Sequence, residues 1–96
     1  EDNQVIVCGK LRIDPAAREV TCEGEKVELT YKEFELLRLL AARRGVAFSR
    51  DDILQTVWGY DNTGETRTVD MHVKTLRQKL GDDIISTVRG VGYKMN

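Results

Sequence analysis

The chain has 96 residues, of which 41% are hydrophobic and 32% are charged. This balance is typical of one globular domain with a single modest core, and no apolar run approaches the roughly 18 residues needed to span a bilayer. The formal net charge is −1, so the overall charge does not by itself favour a nucleic-acid partner.

The charge is unevenly distributed along the chain. Residues 67–96 contain six Lys or Arg residues and three acidic residues, whereas the preceding 66 residues contain nine basic and thirteen acidic residues. This asymmetry allows one face to bind a polyanion although the whole chain is nearly neutral.

Cys8 and Cys22 are the only cysteines, and His72 is the only histidine. They show no C-x-x-C spacing, and one histidine does not complete a zinc site. We therefore expect reduced thiols that pack as small apolar residues in a reducing compartment. The sequence also lacks a nucleophile–base pair or a phosphate-binding loop, so we predict neither an enzyme nor a cofactor.

The first 29 residues are predicted to form four short antiparallel strands, at 5–8, 11–14, 19–22 and 27–29. Pro15 starts a turn after the second strand, and Gly24 lies in a tight hairpin turn after the third. Alternation of apolar and polar residues predicts one buried face on this sheet. Its expected members are Leu11, Ile13, Val20, Cys22, Val27 and Leu29.

Two helices are predicted next. Thr30 and Glu33 form a capping box that starts a helix ending near Arg43, with Gly45 just beyond its end. A very short strand is predicted at 46–48, and Ser49 is the expected N-cap of a helix over 50–58.

Residues 59–65 are predicted to be a polar loop, and Thr66 or a residue next to it is the expected cap of a third helix over 67–80. Val69, Val73, Leu76 and Leu80 recur at i, i+4, i+7 and i+11, which predicts one buried stripe. The opposite side carries bases and small hydroxyls. Such a helix either enters a DNA major groove or is an ordinary amphipathic surface helix.

The chain is predicted to end in a hairpin, with strands at 84–88 and 93–95 joined by a turn at 89–92. Helices followed directly by a hairpin are typical of a winged helix. The predicted fold class is therefore α+β: a winged helix-turn-helix with an N-terminal four-stranded sheet, three helices and a C-terminal β-hairpin wing.

Five segments resemble the DNA-binding effector domain of OmpR/PhoB-type response regulators, in the order found in that family. They are LTYKEFELL at 29–37, VWG at 57–59, RTVDMHV at 67–73, LRQKL at 76–80 and TVRGVGY at 87–93. The resemblance implies that residues 1–96 form one DNA-binding domain of a bacterial cytoplasmic two-component system. It also implies that a phosphoacceptor receiver domain precedes residue 1.

The resemblance implies a role for individual residues, which divide into those that read bases and those that position the protein on the backbone. The implied base-contacting residues are Thr68, Met71 and Thr75. The implied backbone-contacting residues are Trp58, Arg67, His72, Lys74, Arg77, Thr87 and Tyr93. Arg89, at the wing turn, is implied to enter a minor groove. Many relatives carry Arg where this chain has Thr75, and the exchange removes a bidentate guanine contact.

The implied partners are double-stranded DNA and RNA polymerase. The polymerase contact is implied for the loop residues Tyr60, Asp61 and Glu65. The alternative is that this loop only connects two helices. The fragment is expected to be a monomer that pairs head to tail on direct-repeat DNA sites. Two rival hypotheses remain at this point. One is a winged helix that binds proteins, and the other is the same fold in a regulator without a receiver, such as a membrane-anchored activator.

Overall fold

The computed structural model describes residues 4–59 and 65–96. Its elements follow the predicted order of sheet, helices and hairpin. They are β1 (Ile6–Cys8), β2 (Leu11–Asp14), β3 (Glu19–Cys22), β4 (Glu25–Val27), α1 (Tyr31–Ala42), β5 (Phe48–Ser49), α2 (Arg50–Ile53), α3 (Arg67–Leu80), β6 (Ile85–Val88) and β7 (Gly92–Met95).

The N-terminal sheet has the strand order β1-β2-β3-β4, with each neighbouring pair antiparallel. One row across it joins Ile6, Ile13, Val20 and Val27, and this face packs on the core. β4 ends at Val27, two residues earlier than predicted, although Leu29 still packs against the core. The four-stranded antiparallel sheet is therefore confirmed, with its last strand shifted two residues towards the N-terminus.

α1 begins with the predicted capping box. The amide of Glu33 donates to Thr30 Oγ1 at 3.2 Å, and the amide of Thr30 donates to Glu33 Oε1 at 2.9 Å. The helix ends at Ala42, so Arg43 is its C-cap rather than part of its last turn. Gly45 has a φ of +85°, the left-handed conformation that commonly ends a helix and that glycine adopts without steric cost.

The second helix covers the predicted residues but changes its geometry partway along. Ser49 caps it by accepting a 3.0 Å hydrogen bond from the amide of Asp52. The α-helix covers only Arg50–Ile53, and residues Leu54–Trp58 continue as a π-helical turn. The predicted helix over 50–58 is therefore confirmed, and its second half is π-helical, which the sequence does not reveal because the apolar spacing fits both kinds of turn. Turns of this kind are frequent at functional sites.

α3 has the predicted length and buried stripe. Val69, Val73, Leu76 and Leu80 are at most 3% exposed. Thr66 occupies the predicted N-cap position, but its backbone is helical and its side chain makes no capping hydrogen bond. The helix instead grows out of a turn in which the amide of Thr68 donates to the carbonyl of Glu65 at 3.1 Å.

The C-terminal hairpin is part of a three-stranded sheet with the order β5-β7-β6. β5 comprises Phe48 and Ser49, and it pairs with Tyr93 and Gly92 of β7. A Cβ at Gly92 would lie 2.0 Å from the carbonyl oxygen of Phe48, so only glycine allows the two strands to approach this closely. This pairing fixes the hairpin beside the start of α2.

The described elements confirm the winged-helix fold. Across residues 4–59 and 65–96, no helix combines the length and the apolar character that a membrane span needs.

Candidate nucleic-acid interface

The outward face of α3 is a stripe of four exposed side chains. Arg67, Met71, Lys74 and Gln78 are exposed, and they recur at i, i+4, i+7 and i+11, opposite the buried stripe. Met71 is 60% exposed, so it is not part of the core. Gln78 was not among the predicted contacts, although its spacing of seven residues from Met71 already placed it on the same line.

Thr68 and Thr75 lie at the margins of this stripe and are both half-buried. The hydroxyl of Thr75 points towards α1, where it donates to Oε2 of Glu33, and it also lies 3.0 Å from the carbonyl oxygen of His72. The sequence predicted an outward-facing Thr75. It did not reveal Glu33 as a partner, because 42 positions separate the two residues.

Glu33 is the buried centre of this contact and is only 4% exposed. Its other oxygen, Oε1, accepts from Lys79 Nζ at 2.7 Å and from the Thr30 amide at 2.9 Å. Burial raises the pKa of the Glu33 carboxyl, but the hydrogen bonds from Lys79, Thr75 and Thr30 and the charge of Lys79 outweigh it, and the pKa falls to about 2. Glu33 is therefore an anion that only accepts hydrogen bonds.

Tyr93, a predicted phosphate contact, lies inside the contact between α3 and the wing. It is 6% exposed, and its hydroxyl donates to Oδ1 of Asp70 at 2.6 Å. Arg50 Nε reaches the same oxygen at 2.9 Å. Burial raises the pKa of Tyr93, and the hydrogen bond to Asp70 raises it further. In this structure, the proton of the Tyr93 hydroxyl is directed at Asp70 and not at solvent.

Arg77, another predicted phosphate contact, links α3 to the wing. Its Nη2 donates to the Ile85 carbonyl at 2.9 Å and to Thr87 Oγ1 at 3.0 Å, while Nε lies 3.3 Å from the same carbonyl. The guanidinium thus fixes the position of Thr87, which is itself exposed on β6. Arg77 positions the wing, and Thr87 remains open to a ligand.

Trp58 and His72 meet near the start of α3. Their ring centroids are 4.8 Å apart with an interplanar angle of 75°. His72 Nδ1 lies 2.8 Å from the carbonyl oxygen of Thr68, so Nδ1 carries the proton in this contact. Lys32 lies on the other side, with its ammonium 5.7 Å from the Trp58 ring centroid. The structure therefore brings two of the predicted backbone-contacting residues together.

The wing turn presents Arg89 beside a cleft. Arg89 and Gly90 are exposed, and Gly90 has a φ of +78°. The cleft measures about 280 Å³ and lies between Arg50 and the wing residues 87–92. Arg50 was not predicted as a contact because its sequence position marked it only as the start of a helix. Within the described part of the chain, Arg67, Lys74 and Arg89 form no ion pair.

The predicted polymerase contacts are only partly described. Tyr60 and Asp61 lie outside the described residues, and Glu65 is exposed immediately before α3. Metal ligation was not expected, and the two described stretches contain no group of three His, Cys, Asp or Glu residues arranged to hold an ion.

The chain is similar to bacterial transcriptional regulators over most of its length. The family described as "Transcriptional regulatory protein, C terminal" matches residues 24–95. The transcriptional regulatory protein VxrB of Vibrio cholerae is 52% identical over 95 residues, which cover 99% of this chain and 39% of VxrB. The response regulator PmrA of Pseudomonas aeruginosa is 44% identical over 88 residues, covering 92% of this chain and 40% of PmrA. The chain thus spans about 40% of the length of these relatives.

Solved structures of DNA-binding domains have the same fold. The RstA DNA-binding domain of Klebsiella pneumoniae, solved in complex with the RstA box, matches with a TM-score of 0.86 at 37% identity, over 96% of each chain. The DNA-binding domain of CpxR from E. coli matches with a TM-score of 0.85 at 36% identity, over 96% of this chain and 95% of that one.

Proposed function

The chain belongs to the OmpR/PhoB-type family of C-terminal DNA-binding effector domains of response regulators, and on that premise we propose how it binds its target. The family consists of DNA-binding regulator domains, so the chain is not an enzyme. We propose that α3 lies in the major groove of double-stranded DNA while the wing contacts the backbone and a minor groove. The observation that carries this proposal is the exposed stripe on α3, together with an exposed wing that Arg77 joins to the same helix through Thr87.

The roles of the stripe residues follow from their chemistry. Arg67 and Lys74 carry cations that form no ion pair within the described residues, and such groups neutralise phosphates. Met71 lies between them and offers an apolar contact to a base edge, while Gln78 offers the paired donor and acceptor that match adenine. Thr68 and Thr75 lie at the margins of the stripe, beside these two base-contacting residues.

The second contact region is the wing and the start of α2. Arg89 extends from the turn beyond β6, where it suits a narrow minor groove. Thr87 and Arg50 flank the cleft beside it, so an exposed hydroxyl and a second guanidinium are available to a phosphate. Trp58 and His72 contribute a phosphate contact near the start of α3. Arg77 and Tyr93 hold the wing against α3 through their hydrogen bonds to Thr87 and Asp70.

Direct selection on DNA tests the reading role of α3. The purified domain should enrich one motif from a pool of randomised duplexes, and Met71→Ala or Gln78→Ala should broaden that motif at separate positions. Arg12→Ala is a suitable control, because Arg12 is exposed on the outward row of the N-terminal sheet. An unchanged motif in both α3 variants would overturn the assignment.

We extend the proposal to the whole regulator. The relatives are about two and a half times longer than this chain, which supports a receiver domain preceding residue 1 and a cytoplasmic two-component system. In this arrangement, phosphorylation raises the local concentration of effector domains on DNA. The domains would pair head to tail on direct repeats, and the loop ending at Glu65 would contact RNA polymerase.

A further inference from the structure

The position of α3 with the least expected geometry is Thr75, because its hydroxyl is directed away from the outward stripe. A hydroxyl has one proton, and that of Thr75 is donated to Oε2 of Glu33 on α1. Thr75 Oγ1 also lies 3.0 Å from the His72 carbonyl oxygen, which, like the carboxylate, only accepts hydrogen bonds. Both acceptors around this hydroxyl therefore belong to the protein.

Glu33 is held firmly enough to impose this orientation. It is 4% exposed, and its Oε1 is bound by the Thr30 amide and by Lys79 Nζ. Because the carboxylate is anchored at the start of α1 and again by α3, it does not move to release Thr75. Turning the hydroxyl towards DNA would leave Oε2 buried without a partner, which costs more than a typical hydrogen bond gains.

A threonine Cβ carries a hydroxyl and a methyl that point in different directions. With the hydroxyl of Thr75 directed at α1, the methyl is the group left for the half-exposed side of the residue, one turn after Met71. Met71 is 60% exposed and also apolar. Two adjacent apolar groups in a major groove match the C5-methyl group of thymine.

We propose that Glu33 is a specificity-determining positioning residue: it holds Thr75 so that this side chain reads a thymine methyl and does not donate to a base. The proposal rests on the DNA-binding function proposed above. The proposal also explains how a threonine acts at this position. Threonine can present either its hydroxyl or its methyl to DNA, and the buried carboxylate of Glu33 selects the methyl.

The matched pair Thr75→Val and Thr75→Ser separates the two halves of the side chain. Valine keeps the methyl and loses the hydroxyl, whereas serine keeps the hydroxyl and loses the methyl. The probe is the duplex motif selected by the wild-type domain, with each thymine replaced in turn by deoxyuridine, which lacks only the methyl. Binding is measured by fluorescence anisotropy at one fixed salt concentration.

We expect one thymine whose replacement weakens wild-type binding about three- to fivefold, the scale of one buried methyl group. Thr75→Val should show the same loss, and Thr75→Ser should show almost none. The proposal would be overturned if Thr75→Val no longer lost binding on replacement of that thymine while Thr75→Ser still did. It would also be overturned if all three proteins lost binding equally at every thymine. Failure of the wild-type domain to select any motif would instead overturn the proposed function itself.

The role of Glu33 is tested with a second matched pair. Glu33→Ala releases the Thr75 hydroxyl, so the deoxyuridine penalty should fall towards that of Thr75→Ser. Lys79→Met removes a different hydrogen bond to the same carboxylate and should keep the penalty, although both substitutions lower stability. Equal penalties in the two variants would show that Glu33 supports the fold without orienting Thr75. Both are assayed below their melting temperatures, and the substitutions at Thr75 remain informative if Glu33→Ala does not fold.

Discussion

At the scale of single residues, several side chains expected to meet DNA turn out to hold the protein together. Arg77 bonds to β6, and Tyr93 bonds to Asp70. Arg67, Lys74 and Arg89 remain exposed. The sequence spacing identified the buried stripe of α3 and the exposed Met71, but it did not reveal which polar atoms find partners on other elements. Those pairings depend on contacts between positions far apart in the chain.

Glu33 provides a prediction about pH. Its pKa is about 2 in the folded protein against an ordinary value of 4.5. The carboxylate therefore contributes stability that is complete above about pH 4.5 and is lost as the pH falls towards 2. Glu33→Gln should lower the free energy of unfolding by roughly 3 kcal/mol at pH 7, which is the free energy equivalent to this difference in pKa between the unfolded and the folded protein.

Urea unfolding at pH 7, 4.5 and 3 measures this difference. The gap between the wild type and Glu33→Gln should narrow as the pH falls, because the wild type progressively loses the same charge. Glu28→Gln, an exposed substitution nearby, controls for removing one carboxylate. A gap that stays constant from pH 7 to pH 3 would show that the charge of Glu33 does not stabilise the fold.

At the scale of elements, the wing is positioned by a strand of two residues. β5 pairs with β7 at Gly92, where a Cβ would lie 2.0 Å from the Phe48 carbonyl oxygen. We predict that Gly92→Ala lowers the free energy of unfolding by about 2 kcal/mol or more, because backbone must move. It should also weaken DNA binding, since the displaced hairpin carries Arg89.

Gly90→Ala is the matched comparison for thermal unfolding. A Cβ at Gly90 would meet open space, so the only cost of alanine there is the positive φ of +78°. An L-residue in that conformation costs about 1–2 kcal/mol. The variant at Gly92 should therefore melt at the lower temperature. The reverse order would mean that the close approach of β5 and β7 does not constrain the wing.

Prediction from the sequence succeeded where the determinants are local. The capping box at Thr30 and Glu33, the buried stripe of α3 and the glycine turns all depend on neighbours within about one turn or one hairpin. The π-helical turn before Gly59 was missed, because its apolar spacing also fits an α-helix. The Thr75–Glu33 contact was missed because it joins two helices and no sequence rule connects them.

At the scale of the whole molecule, exposed cations belong to the elements that we propose to meet DNA. The exposed cations of α3 and the wing turn lie on the C-terminal half, whereas most acidic residues belong to the first 66 residues. A single domain with one cationic face binds DNA through that face only. Neighbouring domains on a direct repeat would then meet in the same orientation, because half-sites about one helical turn apart present the same groove.

This arrangement predicts that pairing depends on helical phase. Inserting about half a turn of DNA, roughly five base pairs, between two half-sites should abolish cooperative binding and leave the affinity for a single half-site unchanged. Mobility-shift titrations of the two duplexes measure both quantities. Cooperativity that survives the insertion, or a stable dimer of this chain without DNA, would contradict head-to-tail pairing.

The most direct test of the central claim is the salt dependence of binding to the selected DNA site. The four cations of this surface, Arg50, Arg67, Lys74 and Arg89, predict a slope on the order of −3 to −4 for the logarithm of the binding constant against the logarithm of salt concentration. Arg67→Ala should reduce the steepness by roughly one, whereas Arg12→Ala, on the exposed row of the N-terminal sheet, should leave it unchanged. A flat salt response, or an equal effect of both substitutions, would contradict DNA binding through α3 and the wing.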